Sequence, residues 1–379
     1  MSSENPIRVA LVHDWLTGMR GGEYVLEAII DLFPRAELFT LIYQEGKLSP
    51  KIATLKRHTS WLQNIPGAVE RYRHFLPLMP AAIESFDLSG FDLVISSSHC
   101  VAKGIRKAPG AVHVSYVHAP MRYIWDRYDD YFGPGKSSPM VRLAAKMVRG
   151  RLQKWDRAAS SEKRVDALVA NSRFIASQIE RAYGRSASVV YPFADLKRFT
   201  LPRQPGPDYL MVGAFAPYKR VDLAIEVFNR LKLPLKIVGS GQDEKKLRAL
   251  AGPTVEFLGS QTNEQIAKLF ATCKAFIFPG LEDFGITPVE AMASGAPVIA
   301  YGEGGASETV TPETGILFKP QTVDALIDAI QKIESGEVQI SQRACELRAA
   351  EFSREAFQKG LMARIRQAWI AAGKDPSLL

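Results

Sequence analysis

Short apolar runs alternate with helical patterns along this chain, and that alternation constrains the fold more than any other feature. In the first half, the runs cover residues 8–13, 91–95, 111–117, 167–170 and 188–191. After the first run, Gly21 and Gly22 open a helical pattern whose apolar residues share one face. Strands that alternate with helices form βαβ units and pair in parallel, so the sequence predicts an α/β protein.

The second half repeats this alternation. Its apolar runs cover residues 209–212, 235–238, 255–258, 275–278 and 297–300, and helical patterns cover residues 221–231 and 244–250. A chain of 379 residues is longer than one core usually organises, which predicts two doubly wound domains facing each other across a cleft. Residues 201–207, rich in proline and glycine, are the predicted hinge, and residues 354–371 form a final amphipathic helix.

Composition and charge restrict the functional classes. The chain is 46% hydrophobic and 23% charged, which excludes disordered and collagen-like proteins. A formal net charge of +8 favours a phosphorylated ligand, a polyanion or an anionic membrane as partner. Nucleic acid is not expected, because no recognition module or aromatic platform accompanies the charge. Three widely spaced cysteines, together with the lack of a signal peptide or membrane-spanning run, predict a cytoplasmic protein.

Basic residues concentrate between Lys136 and Arg164, where nine of them accompany two acidic residues. Residues 140–155 combine these charges with Leu, Met, Val and Trp, a composition typical of a helix lying on an anionic bilayer. The alternative is a helix packed on its own domain with a solvated basic face. Residues 74–80 are a second apolar stretch, interrupted by proline, that is a candidate for contact with lipid or acceptor.

Two carboxylates, Glu282 and Glu290, flank a predicted strand-loop-helix junction, the place where α/β sheets bind ligands. A carboxylate on each side of a helix N-terminus suits a ligand with both hydroxyls and phosphates. The alternative for Glu290 is a capping box, with Thr287 as N-cap and Pro288 as the first helical residue. Glu282 precedes the helix and has no such local role, so the pair favours ligand binding.

Lys219 and Arg220 follow the predicted strand 209–212 at its carboxyl end, where a diphosphate would need positive charge. The alternative is a basic pair on a solvated loop. Gly239 and Gly241 follow the next strand in the same way, but a tight turn needs glycine with or without a ligand. Gly21 and Gly22 likewise either let the backbone approach a phosphate or only form a turn. The dinucleotide fingerprint of the nicotinamide dehydrogenases is missing after the first strand.

His118 ends a predicted strand and begins the sequence His118-Ala-Pro-Met-Arg-Tyr-Ile-Trp-Asp126. A histidine at this place can hydrogen-bond a substrate hydroxyl or phosphate, and Arg122 follows at the same strand end. A packing or capping histidine is the alternative. The sequence contains no metal-ligand constellation, so no metal or other cofactor is expected.

These motifs resemble the retaining nucleotide-sugar glycosyltransferases of family 4 type. The resemblance rests on Glu282 and Glu290 with the inner Phe284-Gly285, and on the late motifs at residues 304–308 and 314–318. It covers nearly the whole chain and implies the GT-B fold, with two Rossmann-like domains and a C-terminal helix that returns to the first domain. The implied domains are residues 1–200 with 356–379, on the acceptor side, and residues 201–355, which bind the nucleotide sugar.

The resemblance also implies roles for single residues. Glu282 would hold the hydroxyls of the donor sugar, Glu290 the ribose, and Lys219 the phosphates. His118 would lie near the transferred sugar. Backbone N–H groups would meet the diphosphate at two loops, one formed by Phe284, Gly285, Ile286 and Thr287 and the other by Gly21 and Gly22. The chain departs from the family where Ala214 replaces an arginine and Arg220 replaces a glycine, so either Arg220 supplies the missing cation or the phosphate contacts differ.

The sequence His118–Asp126 looks most like that of mannosyltransferases of bacterial O-antigen and related polysaccharides, and Arg122, Trp125 and Asp126 would face the acceptor. The expected reaction moves mannose from GDP-mannose to a lipid-linked saccharide at the inner face of a membrane, with retention of configuration and without a metal. The expected partners are the nucleotide sugar, this acceptor and an anionic membrane surface. Two alternatives remain, a sugar-nucleotide epimerase and a non-catalytic sugar-nucleotide-binding protein.

Overall fold

The computed structural model describes residues 7–126, 128, 132–133 and 138–379. The chain divides into two compact units. The first comprises Met1–Tyr191 and Gln358–Leu379, and the second comprises Pro192–Phe357.

Within its described residues, the first unit is built on a parallel sheet of seven strands with the order β3-β2-β1-β4-β5-β6-β7. The strands are β1 (Val9–His13), β2 (Glu37–Thr40), β3 (Arg57–Thr59), β4 (Leu93–Ser98), β5 (Val112–Val117), β6 (Ala167–Ala170) and β7 (Ser188–Val189). The α-helices described between them are Gly21–Leu32, Pro50–Ala53, Ala68–Arg71, Met79–Glu84, Pro139–Ala159 and Arg173–Tyr183. Short 3₁₀ helices lie at Trp61–Asn64, Tyr72–Phe75 and Ala102–Gly104. Strands β1, β4 and β5 are buried along their whole length, because helices cover both faces of such a sheet.

The last helix, Arg354–Ala371, ends in the first unit. The amide of Gln358 donates a hydrogen bond to the carbonyl oxygen of Ala28 at 3.0 Å. Further along the same helix, the side chain of Val190 packs on Gly360, where an added Cβ would lie 3.1 Å from a Val190 methyl. The return of the C-terminal helix to the first unit is therefore present in the fold.

The second unit contains a parallel sheet of six strands with the order β10-β9-β8-β11-β12-β13. The strands are β8 (Tyr209–Val212), β9 (Leu235–Val238), β10 (Val255–Gly259), β11 (Phe276–Phe278), β12 (Val298–Tyr301) and β13 (Gly315–Phe318). The α-helices are Val221–Leu231, Glu244–Leu250, Asn263–Thr272, Ile286–Ala293, Ala306–Thr309, Val323–Glu334 and Gln342–Ala350. Short 3₁₀ helices lie at Leu196–Arg198 and Pro217–Lys219.

Both sheets are doubly wound, and the strand order of each reverses once. In the first unit the reversal lies between β1 and β4, and in the second it lies between β8 and β11. Open α/β sheets bind ligands outside the carboxyl ends of the strands at such a reversal. The predicted α/β fold with two Rossmann-like domains is confirmed. Strands β2, β3 and β13 were not predicted from the sequence.

Residues 201–207 differ from their predicted role as a hinge. The backbone N–H groups of Gln204 and Gly206 donate to the carbonyl oxygens of Ala271 and Thr272, at 2.9 and 2.7 Å. The guanidinium of Arg203 donates to three further carbonyl oxygens at the end of the helix Asn263–Thr272 and just beyond it. The segment is thus bonded along the second unit, and the division of the chain falls before it, between residues 191 and 192.

Among the described helices, none combines the length and the apolar character that a membrane span requires.

Candidate functional site

Lys219 and Glu282 meet at the strand-order reversal of the second unit. Lys219 ends the 3₁₀ helix after β8, and Glu282 lies in the loop after β11, the strand adjacent to β8. The ammonium of Lys219 contacts Oε1 of Glu282 in a close ion pair, and both side chains are largely buried. The structure therefore joins two predicted ligand-binding groups that are 63 residues apart in sequence.

The two loops approach each other closely because of Gly280. A Cβ added at this position would lie 2.8 Å from the Cα of Lys219, which no side chain tolerates without movement of the backbone. Next to it, the N–H of Leu281 donates to the carbonyl oxygen of Tyr218 at 3.3 Å. The Lys219 ammonium also lies 5.8 Å from the centre of the Phe278 ring, within range of a cation–π attraction.

The helix after Glu282 begins earlier than the predicted capping box requires. The structure places the N-cap at Gly285, with φ of +80°, and the helix extends over Ile286–Ala293. Thr287 is consequently the second helical residue and not the N-cap, so the capping-box alternative for Glu290 is wrong. The cause is the left-handed conformation of Gly285, which only glycine adopts readily and which turns the chain into the helix two residues early. Backbone N–H groups in this first turn, including those of Ile286 and Thr287, have no partner within the helix.

Glu290 is left without a local partner by this shift. It lies on the second turn, is partly buried, and its carboxylate hydrogen-bonds no residue that the structure describes. Burial raises the pKa of Glu290, while the nearby positive charge of Arg198 opposes this increase. A half-buried carboxylate without hydrogen-bond donors is a suitable acceptor for the hydroxyls of a ligand.

Phe284 supports the loop that carries Glu282. Its ring is buried against Phe352, with the ring centres 5.6 Å apart. Gly305 packs on its backbone, since an added Cβ would lie 2.1 Å from the Cα of Phe284. The N–H of Gly305 donates to the carbonyl oxygen of Glu282 at 2.8 Å. Phe284 and the late motif at residues 304–308 thus position the Glu282 loop.

Arg220 adopts a left-handed conformation with φ of +52° and serves as N-cap of the helix Val221–Leu231. A glycine would adopt this conformation without strain, in agreement with the glycine of the resembling family. The guanidinium donates to the carboxylate of Asp222 at 3.2 Å and to the amide oxygen of Gln321 at 3.0 Å. Arg220 is thus engaged within its own unit, and Ala214 is exposed on the loop before it.

Gly239 and Gly241 are required by the packing of two adjacent loops. A Cβ added at Gly239 would lie 1.9 Å from the carbonyl oxygen of Gly213, and one at Gly241 would lie 2.6 Å from that of Phe215. The loop after β9 therefore lies directly on the loop that leads to Lys219. The structure explains both glycines by this close approach of backbone to backbone.

In the first unit, His118 follows β5 at its carboxyl end, and β5 is the neighbour of β4, one of the two strands at the strand-order reversal. Its Nε2 lies 2.8 Å from the hydroxyl of Ser97 at the end of β4. Gly21 and Gly22 are the first residues of the helix Gly21–Leu32, as predicted. A Cβ added at Gly22 would lie 3.6 Å from the ring of His13 and 3.8 Å from that of His118, so this helix begins directly over the two histidines.

Asp14 is a buried residue of this site that the sequence did not reveal. Its carboxylate accepts four backbone N–H groups from residues 99–102, at distances between 2.5 and 3.0 Å. It also lies 3.2 Å from Nδ1 of His99. The available signal was a carboxylate directly after the first strand, adjacent to His13. Asp14 thus joins the end of β1 to the loop after β4 and orients the His99 ring.

The three histidines of this cluster are held in the neutral form. Burial lowers the pKa of His13 to about 3, and the pKa values of His99 and His118 also lie below their usual value because of burial. Both ring nitrogens of His13 are buried without a hydrogen-bond partner among the described residues, and Glu23 lies 4.0 Å away. Neutral imidazoles offer both a donor and an acceptor to a polar ligand.

Of the predicted acceptor-side residues, Trp125 is engaged within the first unit. Its indole N–H donates to Asp156 at 2.8 Å, and Asp156 forms a fully buried ion pair with Lys103 at 2.7 Å. Arg122 is half-buried, and its positive charge contributes to the lowered pKa values of His99 and His118. Asp126 is exposed. The described residues contain no group of three or more His, Cys, Asp or Glu side chains arranged to hold a metal ion.

Comparison with known families assigns a glycosyltransferase domain to each half of the chain. Residues 21–198 match the family described as Glycosyltransferase Family 4. Residues 193–352 match the family described as Glycosyl transferases group 1. The two matches follow one another along the chain with only a small overlap.

Two curated relatives have names that specify a mannosyltransferase. The GDP-mannose-dependent alpha-mannosyltransferase of Mycolicibacterium smegmatis is 42% identical over 109 residues, covering 28% of this chain and 29% of the relative. The O-antigen chain mannosyltransferase C of Escherichia coli is 29% identical over 193 residues, covering 46% of this chain and 52% of the relative. This chain therefore spans about half or less of the length of the curated relatives it matches.

Solved structures of glycosyltransferases resemble the whole fold. The crystal structure of Anabaena HepE in complex with UDP covers 95% of this chain and all of its own, with a TM-score of 0.69 at 16% identity. The apo form of the lipopolysaccharide outer core galactosyltransferase WaaB has a TM-score of 0.66 at 19% identity, covering 94% of this chain and 98% of its own. At such identities the similarity establishes the fold, which is GT-B.

Proposed function

We propose that this chain, each half of which matches a glycosyltransferase family, transfers mannose from GDP-mannose to a lipid-linked saccharide. The transfer retains the anomeric configuration and serves the synthesis of a cell-surface polysaccharide. The mannosyl donor is supported by the names of the two curated relatives. The position of the Lys219–Glu282 pair at a strand-order reversal is the observation that carries the proposal.

In this proposal, the ion pair opens when the donor binds. The ammonium of Lys219 moves to the diphosphate, and the carboxylate of Glu282 accepts hydrogen bonds from the sugar hydroxyls. The unpaired N–H groups at the start of the helix Ile286–Ala293 meet the phosphates, where the helix dipole is favourable to negative charge. Glu290, whose carboxylate accepts no hydrogen bond from the described residues, accepts the ribose hydroxyls.

The chemical step requires no protein nucleophile. The bond between the anomeric carbon and the departing phosphate oxygen breaks, and a bond to the acceptor oxygen forms on the same face of the sugar. The acceptor proton passes to the departing phosphate. Lys219 and the helix N-terminus stabilise the negative charge that develops there.

The proposed acceptor is lipid-linked, and the protein contacts an anionic membrane from the cytoplasmic side. The helix Pro139–Ala159 supports this contact, because its first turns expose large apolar side chains among basic residues. The exposed fractions are 82% for Met140, 61% for Leu143 and 66% for Met147. These three residues recur at helical spacing and form a stripe that bound lipid would cover.

A second candidate function, a non-catalytic nucleotide-sugar-binding protein, is favoured by Ala214. The family arginine is missing there, and the guanidinium of Arg220 is engaged with Asp222 and Gln321. In that case Lys219 would be the main cation for the diphosphate in this loop. Such a protein would bind the donor without transferring its sugar.

The test combines donor binding with transfer. Thermal unfolding with a panel of nucleotide sugars identifies the donor, since the tightest ligand raises the midpoint most. Transfer of labelled mannose to a membrane lipid extract is then measured, and the linkage of the product is determined by NMR. Lys219→Met and Glu282→Gln should each reduce transfer by a factor of about 100 or more.

The control is Lys246→Met, an exposed lysine on the helix Glu244–Leu250, which should transfer at the wild-type rate. Full activity in both site variants would disprove the assignment of this site. Donor binding without transfer by the wild type would support the non-catalytic candidate. Conversion of the sugar in the absence of acceptor would identify an epimerase.

A further inference from the structure

A basic cleft opens beside the candidate site of the first unit. It has a volume of about 360 Å³ and is lined by the end of the loop after β1 and by residues 69–74. Arg20, Arg71 and Arg73 lie in its wall with His74, and all four side chains are exposed. Glu70 is the one carboxylate in that lining. Three guanidinium groups against one carboxylate give the cleft a positive charge.

A row of packed aromatic rings joins the wall of the cleft to the histidine cluster. Tyr72, in the wall of the cleft, packs against Trp15 with the ring centres 4.9 Å apart. Trp15 in turn packs edge-on against His99, with centres 4.5 Å apart. Arg20 lies near both the cleft and the histidine cluster, because it lines the cleft and its positive charge contributes to the lowered pKa of His99. The cleft and the histidine cluster are therefore close neighbours in the first unit.

We infer that this cleft binds a phosphate or diphosphate group of the acceptor. The inference rests on the proposed function, which places the acceptor saccharide at the first unit. Guanidinium groups bind phosphate oxygens in pairs through charge-assisted hydrogen bonds, and three of them suit a diphosphate better than a neutral sugar. The acceptor is thus a saccharide that carries its phosphate close to the sugar that receives the mannose.

Two exposed apolar residues lie on elements that adjoin the cleft. Trp61, 41% exposed, begins the 3₁₀ helix that packs against the helix Ala68–Arg71. Leu78, 44% exposed, lies four residues after His74, the last residue of the cleft lining. An acceptor whose diphosphate continues into a lipid would have apolar surface available there, whereas a free phosphorylated sugar would not use it.

The experiment measures binding of two probes to the full chain by calorimetry. Inorganic pyrophosphate presents the diphosphate alone, and farnesyl diphosphate presents it with a short lipid. All proteins carry Lys219→Met, so that binding at the proposed donor site does not contribute. Arg71→Gln/Arg73→Gln is compared with the charge-matched control Arg35→Gln/Arg181→Gln, which removes two other exposed arginines of the same unit.

We expect the cleft variant to bind both probes about tenfold more weakly or worse, and the control to change by less than about twofold. If both double variants lose the same affinity, or if neither probe binds, the inference is overturned. Tighter binding of farnesyl diphosphate, lost in Trp61→Ala, identifies a lipid-linked acceptor. Equal affinity for both probes identifies a free phosphorylated saccharide.

The outcome is separable from that of the proposed function. GDP-mannose binding is measured with Lys219 intact, in the wild type and in Arg71→Gln/Arg73→Gln, and should be equal in the two. A chain that binds the diphosphate probes in the cleft but not GDP-mannose would refute the proposed donor and leave the cleft assignment valid. Unfolding midpoints of all variants verify that the fold is retained.

Discussion

Oδ2 of Asp14 lies 3.2 Å from Nδ1 of His99 and also accepts the backbone N–H of that residue at 2.7 Å. The histidine is therefore fixed at two points by one carboxylate from the neighbouring strand. Because Nδ1 faces Asp14, it carries the proton of the neutral ring, and Nε2 is an acceptor. The ring is partly exposed, so this acceptor is available to a hydroxyl group of a ligand.

The first prediction concerns Asp14→Asn. An amide has one acceptor oxygen, so two of the four backbone N–H groups lose their partner, and a buried donor without a partner costs about 1–3 kcal/mol. We expect the free energy of unfolding to fall by about 2–4 kcal/mol in urea denaturation. The control Asp328→Asn, on an exposed helical position, should stay within about 0.5 kcal/mol of wild type. If Asp14→Asn leaves the free energy of unfolding unchanged, the hydrogen bonds from residues 99–102 to Asp14 do not stabilise the fold.

The second prediction concerns pH. Burial lowers the pKa of His13 to about 3 and that of His113 to about 4, whereas both residues titrate near 6.5 in the unfolded chain. Below that value the unfolded chain binds more protons than the folded one, so stability falls as the pH falls. At about pH 5 each of these histidines costs about 2 kcal/mol relative to neutral pH.

Urea denaturation between about pH 7 and about pH 5 measures this loss. His13→Leu removes one titrating group, and its stability should fall less steeply with decreasing pH than that of wild type. Gln331→Leu, at an exposed helical position without a titrating group, is the control and should keep the wild-type slope. Parallel slopes for wild type and His13→Leu would show that His13 is charged in the folded protein.

The fold was predictable because parallel strands covered on both faces are apolar along their length. Strand β1 is such a strand, and its apolar run is visible in the sequence. Strand β3, Arg57–Thr59, is an edge strand with the sequence Arg-His-Thr and no apolar residue, so no pattern revealed it. Its pairing with β2 depends on backbone hydrogen bonds, which a sequence does not show.

The site was predictable only as separate parts. Lys219 and Glu282 each follow an apolar run, which suggested a ligand role for both, but their contact depends on the pairing of β8 with β11. Strand order is not encoded in the apolar pattern. Asp14 and His99 are 85 residues apart and meet for the same reason, at the reversal between β1 and β4.

The third prediction concerns Gly239. It has φ of +139°, and an added Cβ would lie 1.9 Å from the carbonyl oxygen of Gly213. Gly239→Ala should therefore cost the strain of a positive φ plus that of a displaced loop, about 3 kcal/mol or more. The matched control is Gly336→Ala, with φ of +74° and open space around the Cβ, which should cost only about 1 kcal/mol. Equal losses of unfolding free energy in the two variants would mean that the loops after β8 and β9 move apart without a cost in free energy.

The last prediction concerns the buried ion pair of Lys103 and Asp156. Neither side chain is exposed, and Asp156 also accepts hydrogen bonds from Trp125 and Tyr183. Lys103→Met leaves a buried carboxylate without its cation and should destabilise the protein by about 3–5 kcal/mol. Adding Asp156→Asn removes the charge but retains an acceptor for both donors, so the double variant should be more stable than Lys103→Met alone.

An exposed ion pair provides the control for Lys103→Met. Arg230 and Glu226 lie four residues apart on a helix, and both side chains are more than half exposed. Arg230→Met should change the free energy of unfolding by less than about 0.5 kcal/mol, because solvent screens the pair. If Lys103→Met costs no more than this control in urea denaturation, Asp156 is protonated or hydrated in the folded chain. In that case, the positions of Trp125 and of the helix Pro139–Ala159 do not depend on an ion pair between Asp156 and Lys103.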